Sequence, residues 1–197
     1  EAPTGFAVDD VDLTAANGSI SGFIETPDSA GKEYTATFIP TPSIRADDNV
    51  IRVGTDWTDA AGNAPLEVTA SDTYTIDSEV PSVAITLDDK ELIAGEKAVV
   101  TFSFSEAPTG FAVDDVDLTA AHGRISGFIE TPSSAGKEYT ATFVPTPGVT
   151  ADDNVIRVGT DWIDASGNTP LEVTDSVIYK IDTILPTIAI TLNDKEL

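Results

Sequence analysis

Two five-residue stretches carry oxygen chemistry suited to a cation, Asp59-Ala-Ala-Gly-Asn63 and Asp164-Ala-Ser-Gly-Asn168. Each offers a carboxylate, an amide oxygen and a glycine that lets the backbone turn. Each also follows a further acid, Asp56 or Asp161. Carboxylates, amide oxygens and backbone carbonyls are the ligands of a hard cation, and calcium takes roughly six to eight of them at about 2.3–2.6 Å. Other acids recur in fixed places. Asp77 and Asp182 end Tyr-x-Ile-Asp runs, Glu106 precedes Ala-Pro-Thr, and Asp47 and Asp152 open Asp-Asp-Asn triplets. The expected metal ligands are therefore Asp77, Asp182, Glu106, Asp161, Asp164, Asn168, Asp56, Asp59, Asn63, Asp152 and Asp47, with Ca2+ as the cofactor. No stretch has the alternating ligands and central glycine of an EF-hand loop. An acid in a loop is ordinarily a solvated surface group; the linker position of Asp77 and the Asp-x-x-Gly-Asn pattern of Asp164 and Asn168 set these three apart.

Catalytic chemistry finds little support. Asp115 and Asp117 would share one face of a strand, and paired carboxylates can serve a glycosidase. No insertion forms a pocket around them, however, and G-x-S-x-G, a phosphate-cradling glycine loop and a histidine cluster are all absent. His122 stands where the equivalent residue is Asn17, which marks it as a turn residue. Trp57 and Trp162 read as core or cap residues, with sugar stacking as the competing use. The chain is expected not to be an enzyme.

Charge points the same way. The 197 residues hold 34 Asp and Glu against 10 Lys and Arg, a formal net charge of −24. Nucleic acid is excluded as a partner, because phosphate binding needs a Lys/Arg surplus. An anionic lipid surface is disfavoured too. No apolar run reaches the roughly 18 residues of a membrane helix, so this segment is expected not to insert. There are no cysteines, hence no disulfide and no thiolate metal site. The start at Glu1, without a signal peptide, reads as an internal segment of a longer protein.

The elements that position these acids repeat. Glu1 to Asp10 returns letter for letter as Glu106 to Asp115, and 72 of 92 positions agree when residues 1–92 are laid over 106–197. A period of one whole sandwich domain exceeds any solenoid unit. The expected domains are a partial repeat over 1–79, a complete one over 80–184 and the start of a third over 185–197. The first copy has no counterpart of residues 80–105, which leaves either a crop from a longer protein or strand exchange with a neighbour. Within the complete unit the apolar pattern has period two. Val83–Leu87, Ala98–Phe104, Val116–Leu118, Ile125–Ile129, Tyr139–Val144, Val155–Val158 and Leu171–Ile181 read as strands. About seven strands in a hundred residues is the count of an immunoglobulin-like sandwich. The fold class is thus all-β, in tandem immunoglobulin-like β-sandwich domains. Asn17-Gly18 and His122-Gly123 read as hairpin turns in which Gly takes positive φ. Asp152, Asp153 and Asn154 are expected in a loop, as are Asp88, Asp89 and Glu91.

Val100-Thr-Phe-Ser-Phe-Ser-Glu-Ala-Pro-Thr-Gly-Phe111, Tyr139-Thr-Ala-Thr-Phe143, Asp164-Ala-Ser-Gly-Asn168 and Ile181-Asp182 with Pro186 resemble bacterial Ig-like tandem repeats. Such repeats build the extender regions of giant RTX-type surface adhesins. The resemblance implies a secreted, extracellular stalk segment at the bacterial cell surface. It also implies calcium at the domain junctions, neighbouring repeats of the same chain as partners, and a distal ligand-binding module elsewhere in the protein. Two other functions fit the composition: direct carbohydrate binding through Trp57 and Trp162, and an accessory domain of a secreted enzyme.

Overall fold

The computed structural model describes residues 1–193; residues 194–197, part of the expected start of a third repeat, lie outside the described residues. The chain divides into two compact units, Glu1–Glu79 and Val80–Leu197. Among the described residues there is no α-helix, only strands and two short 3-10 turns, Val8–Asp10 and Val113–Asp115.

In the second unit, four antiparallel strands lie side by side in the order Val83–Leu87, Ala98–Phe104, Glu138–Pro145 and Gly123–Glu130. Alternation decides which side is buried. Val83, Ile85 and Leu87 point inward while Ala84 and Thr86 are exposed, and Ala98, Val100, Phe102 and Phe104 do the same on the next strand. Burying each such large apolar side chain stabilises the fold by about 1.5–3 kcal/mol. Two three-stranded sheets supply the opposing layer. One runs Glu91–Ile93, Tyr179–Asp182, Thr150–Asn154; the other runs Val116–Asp117, Arg157–Val158, Thr174–Asp175. Leu92, Ile156, Val158, Tyr179 and Ile181 from this layer join Val100, Phe102 and Phe143 in one core. The fold is an all-β, immunoglobulin-like sandwich, as the period-two pattern implies.

The structure refines several strand expectations. The stretch Glu91–Ile93, expected in a loop, is a strand paired in parallel with Tyr179–Asp182, so the first strand region serves both layers. Thr150–Asn154 is also a strand, although its two acids break the apolar alternation. A register shift between Ala151 and Asn154 turns Asp152 and Asp153 to solvent. The buried Asn154 then closes the gap, its Nδ2 donating to the carbonyls of Ala151 and Tyr179 at 2.9 Å each. Leu171–Ile181 is not one strand. Its chain changes sheets at the buried Ser176, whose hydroxyl accepts from the Ile156 amide and donates to the Val177 carbonyl. Leu171, Val173 and Ile178 are left exposed.

The two Asn/His-Gly sites are not hairpin turns, since each joins strands of different sheets. Positive φ falls on Asn17 (50°) and His122 (49°), not on the glycine. Gly18 and Gly123 are required for a different reason: a Cβ there would run into the rings of Phe38 and Phe143. Asn17 and His122 share one task, hydrogen bonding the Oδ1 of the buried Asn49 (2.7 Å) and Asn154 (2.8 Å). Because the Asn154 amide nitrogen is spent on two carbonyls, its Oδ1 accepts, and His122 Nδ1 carries the proton.

The first unit repeats these elements: Gly18–Glu25 with Tyr34–Pro40, Arg45–Asn49 with Tyr74–Asp77, and Val11–Asp12, Arg52–Val53, Thr69–Ala70 in one small sheet. Its buried apolar residues are only Ala16, Val50 and Ile76. Phe6, Phe23, Tyr34 and Trp57 still pack ring to ring, but each is half-buried. Residues 185–193 form no strand, and Ile188 and Ile190 are 88% and 85% exposed.

Candidate functional site

The Asp-x-x-Gly-Asn stretches are tight turns built around their own carboxylate. Asp164 Oδ1 accepts the amides of Ser166 and Asn168 at 2.8 Å, and Oδ2 accepts Asn168 Nδ2 at 2.9 Å. The Asp164 amide in turn donates to the Asn168 carbonyl. Gly167 supplies the φ of 91° that closes the turn. Asp59 and Asn63 repeat the same bonds in the first unit. Asp164 is 1% exposed. Burial opposes its charge, yet hydrogen bonds from the Asn168 side chain and from the backbone of Asn168, Ser166 and Gly167 outweigh that and hold the carboxyl below its ordinary range. The Asn63 side chain and backbone do the same for Asp59.

Glu106 is brought to this turn by the chain that follows it. The Thr109 amide donates to the Ile163 carbonyl at 2.7 Å and its hydroxyl to the Asp164 carbonyl at 3.1 Å. Carboxylate oxygens of Glu106 and Asp164 lie within 4.8 Å of one another. Two unit charges about 4 Å apart repel by about 4 kcal/mol at an effective dielectric near 20. A cation at calcium's ligand distance of about 2.4 Å from each oxygen spans such a gap.

Each of the other expected ligands is held by the local structure of its own unit. Asp182 ends the strand Tyr179–Asp182, accepting from the Thr150 hydroxyl and the Ile184 amide. It lines a surface groove of about 280 Å³ together with Asp152, Glu91 and Lys180. Asp77 ends the matching strand, where Arg45 pairs with it at 3.0 Å. Asp47 is exposed on its bulged strand, and Asp56 and Asp161 are exposed just before the tryptophans. Asn49 and Asn154 carry more of the architecture than their acidic neighbours, and the recurring Asp-Asp-Asn triplet was the available signal.

Residues that suggested other chemistry are accounted for locally. Asp115 accepts the Ala112 amide and Asp117 the Thr119 amide. Trp162 is buried, its indole N–H donating to the Gly159 carbonyl and its ring edge-on to Phe104 at 4.9 Å, so it presents no face for a sugar. Among the described residues no helix is long and apolar enough to cross a membrane.

A family model for the bacterial Ig-like domain matches residues 1–76 and again 77–181. The chain belongs to the bacterial Ig-like domain family. No match is found among curated proteins or among solved structures. The two Ig-like matches abut, with no residue between them. In each Ig-like unit the Asp-x-x-Gly-Asn turn sits between the strand at Arg52–Val53 or Arg157–Val158 and the one at Thr69–Ala70 or Thr174–Asp175.

Proposed function

We propose that this chain is a structural extender, a stalk segment of a bacterial cell-surface adhesin of the RTX type, stiffened by calcium at its inter-domain junctions. It works outside the cell, where it holds a distal ligand-binding module away from the surface. The observation that carries this reading is the tandem repetition: two family matches follow one another without an intervening residue, and their sequences agree at most aligned positions. A ligand site needs one good copy, whereas length needs many. Domains of this family are typically structural, which accords with carboxylates that are engaged in turns. Residues 185–197 begin a third repeat in this reading, because Ile188-Ala-Ile-Thr-Leu192 matches Val83-Ala-Ile-Thr-Leu87 in all but one position.

The calcium ligands proposed are Asp77 at the boundary of the two matches, with Glu106, Asp161, Asp164 and Asn168 of the following domain; Asp182 takes the place of Asp77 one period on. The oxygen-rich donor set and the Glu106–Asp164 spacing support calcium. Titration calorimetry tests it. The chain should bind calcium, and Asp77→Ala should weaken binding at least about tenfold while each sandwich stays folded by circular dichroism. Unchanged binding in that variant would return Asp77 to its role as the partner of Arg45.

A further inference from the structure

The two outer faces of the second sandwich differ in charge. On the layer that holds Glu91–Ile93, Thr150–Asn154 and Tyr179–Asp182, the solvent side shows Glu91, Asp152, Lys180 and Asp182. Beside it Arg157 pairs with Asp175. The four-stranded sheet presents something else. Alternation turns Thr86, Thr101, Thr140 and Ile129 outward as one row across all four strands, and Val99, Thr142 and Ser126 as the next. These seven side chains carry no charge, in a chain whose net charge is −24. Val99 and Ile129 are 44% and 60% exposed. Charge stands at the rim of this face. Asp88 follows the first strand, its carboxylate turned to the Val99 amide at 2.6 Å. Glu138 lies level with Ser103 at one end, and Arg124 lies level with Val144 at the other. Six residues of strand separate these two levels, about 20 Å at a rise of about 3.4 Å per residue. The first unit keeps the acid as Glu33 but has Ser19 at the place of Arg124, so this pair of ends belongs to the second unit.

We propose that this face packs against the same face of a second copy of the chain, with strands antiparallel across a two-fold axis that lies between the two sheets and perpendicular to the strands. Such a contact uses one patch twice. It turns one copy end for end, so Glu138 of each copy comes over the Arg124 end of the other. Stacked sheets sit about 10 Å apart, a gap that Glu and Arg side chains span from its two sides. A parallel stacking sets Glu138 over Glu138 and Arg124 over Arg124, so charge also fixes the direction. Charge selects the occupant as well. A copy carrying −24 is repelled by the acid-bearing layer and meets no like charge across the two uncharged rows. A basic partner is drawn to the acid-bearing layer instead. Three strand spacings of about 4.8 Å by about 20 Å give roughly 300 Å² per copy, less than half of the roughly 800 Å² of a standard interface. A single pair is therefore weak and concentration-dependent, and repeats in tandem strengthen it by acting together. The inference uses neither the stalk nor calcium.

Sedimentation equilibrium of the 197-residue chain, in EDTA and at concentrations up to about 1 mM, tests it. The chain should show a reversible monomer–dimer equilibrium. Arg124→Glu and Glu138→Arg should each weaken it by at least about fivefold, because each reverses two contacts per dimer. The double variant should regain it. Lys180→Glu makes the same change in net charge as Arg124→Glu, but on the acid-bearing layer, and should leave dimerisation unchanged. Circular dichroism checks that every variant is folded. A chain that stays monomeric at the highest concentration would overturn the proposal. So would a dimer that the Arg124 and Glu138 variants weaken no more than Lys180→Glu does, because the contact would then lie on another surface. Failure of the folded double variant to regain dimerisation would overturn it too.

Discussion

The buried Asp164 carboxylate accepts from three donors of its own turn, the amides of Ser166 and Asn168 and the Asn168 side chain. Replacing it with Ala leaves those donors without an acceptor and removes a buried charge-assisted network. Asp164→Ala should therefore destabilise the second unit by about 2–4 kcal/mol, measured by urea unfolding. Its pH dependence has a definite sign. The folded carboxyl sits below the ordinary Asp value of about 3.9. Its contribution is therefore fully present above the unfolded value and is lost as the pH falls through the folded one. Asp117 and Asp175 are shifted the same way, Asp117 by hydrogen bonds from Thr119 and Asp175 by the bond from Arg157, so they lose their contributions in the same acid window. Unfolding free energy should stay level from about pH 5 to 8 and decline below about pH 4. In Asp164→Ala the acid decline should be shallower; an identical slope would show that this carboxyl contributes nothing through its charge.

At the scale of elements, the same strand sits in two environments, and that difference can be measured. Phe143 is fully buried between layers, so Phe143→Ala should cost about 3–5 kcal/mol in the second unit. Phe38, on the strand Tyr34–Pro40, is half-buried, so Phe38→Ala should cost clearly less in the first. Equal losses in calorimetric melts would contradict the difference in burial between Phe143 and Phe38. Val83–Leu87 and Ala98–Phe104 were legible because one face of each is buried and the other wet, which writes period two directly into the residues. Thr150–Asn154 was not, because a bulge lets two consecutive acids face solvent inside a strand. Leu171–Ile181 misled in the opposite sense: its apolar residues are shared between two sheets and partly exposed. The Asp-x-x-Gly-Asn pattern was legible as a turn with chemistry. Its self-bonding was not, since the same carboxylate and amide that suit a cation also suit one another.

For the whole molecule the central claim is mechanical. A net charge of −24 spread over repeated acidic domains disfavours close junctions in the absence of a counter-ion. Under the proposed function a bound calcium would reverse that local repulsion, and at free calcium about 100 times the dissociation constant it would add about 2.7 kcal/mol to the arrangement it prefers. Magnesium should substitute poorly, because it demands a tighter octahedron and gives up water reluctantly. The most direct measurement is small-angle scattering on several complete repeats in calcium, magnesium and EDTA at equal ionic strength. The account predicts a longer and narrower distance distribution in calcium than in either other condition. Superimposable profiles in calcium and EDTA would contradict it, and would leave the acidic turns as structural and solubilising features alone.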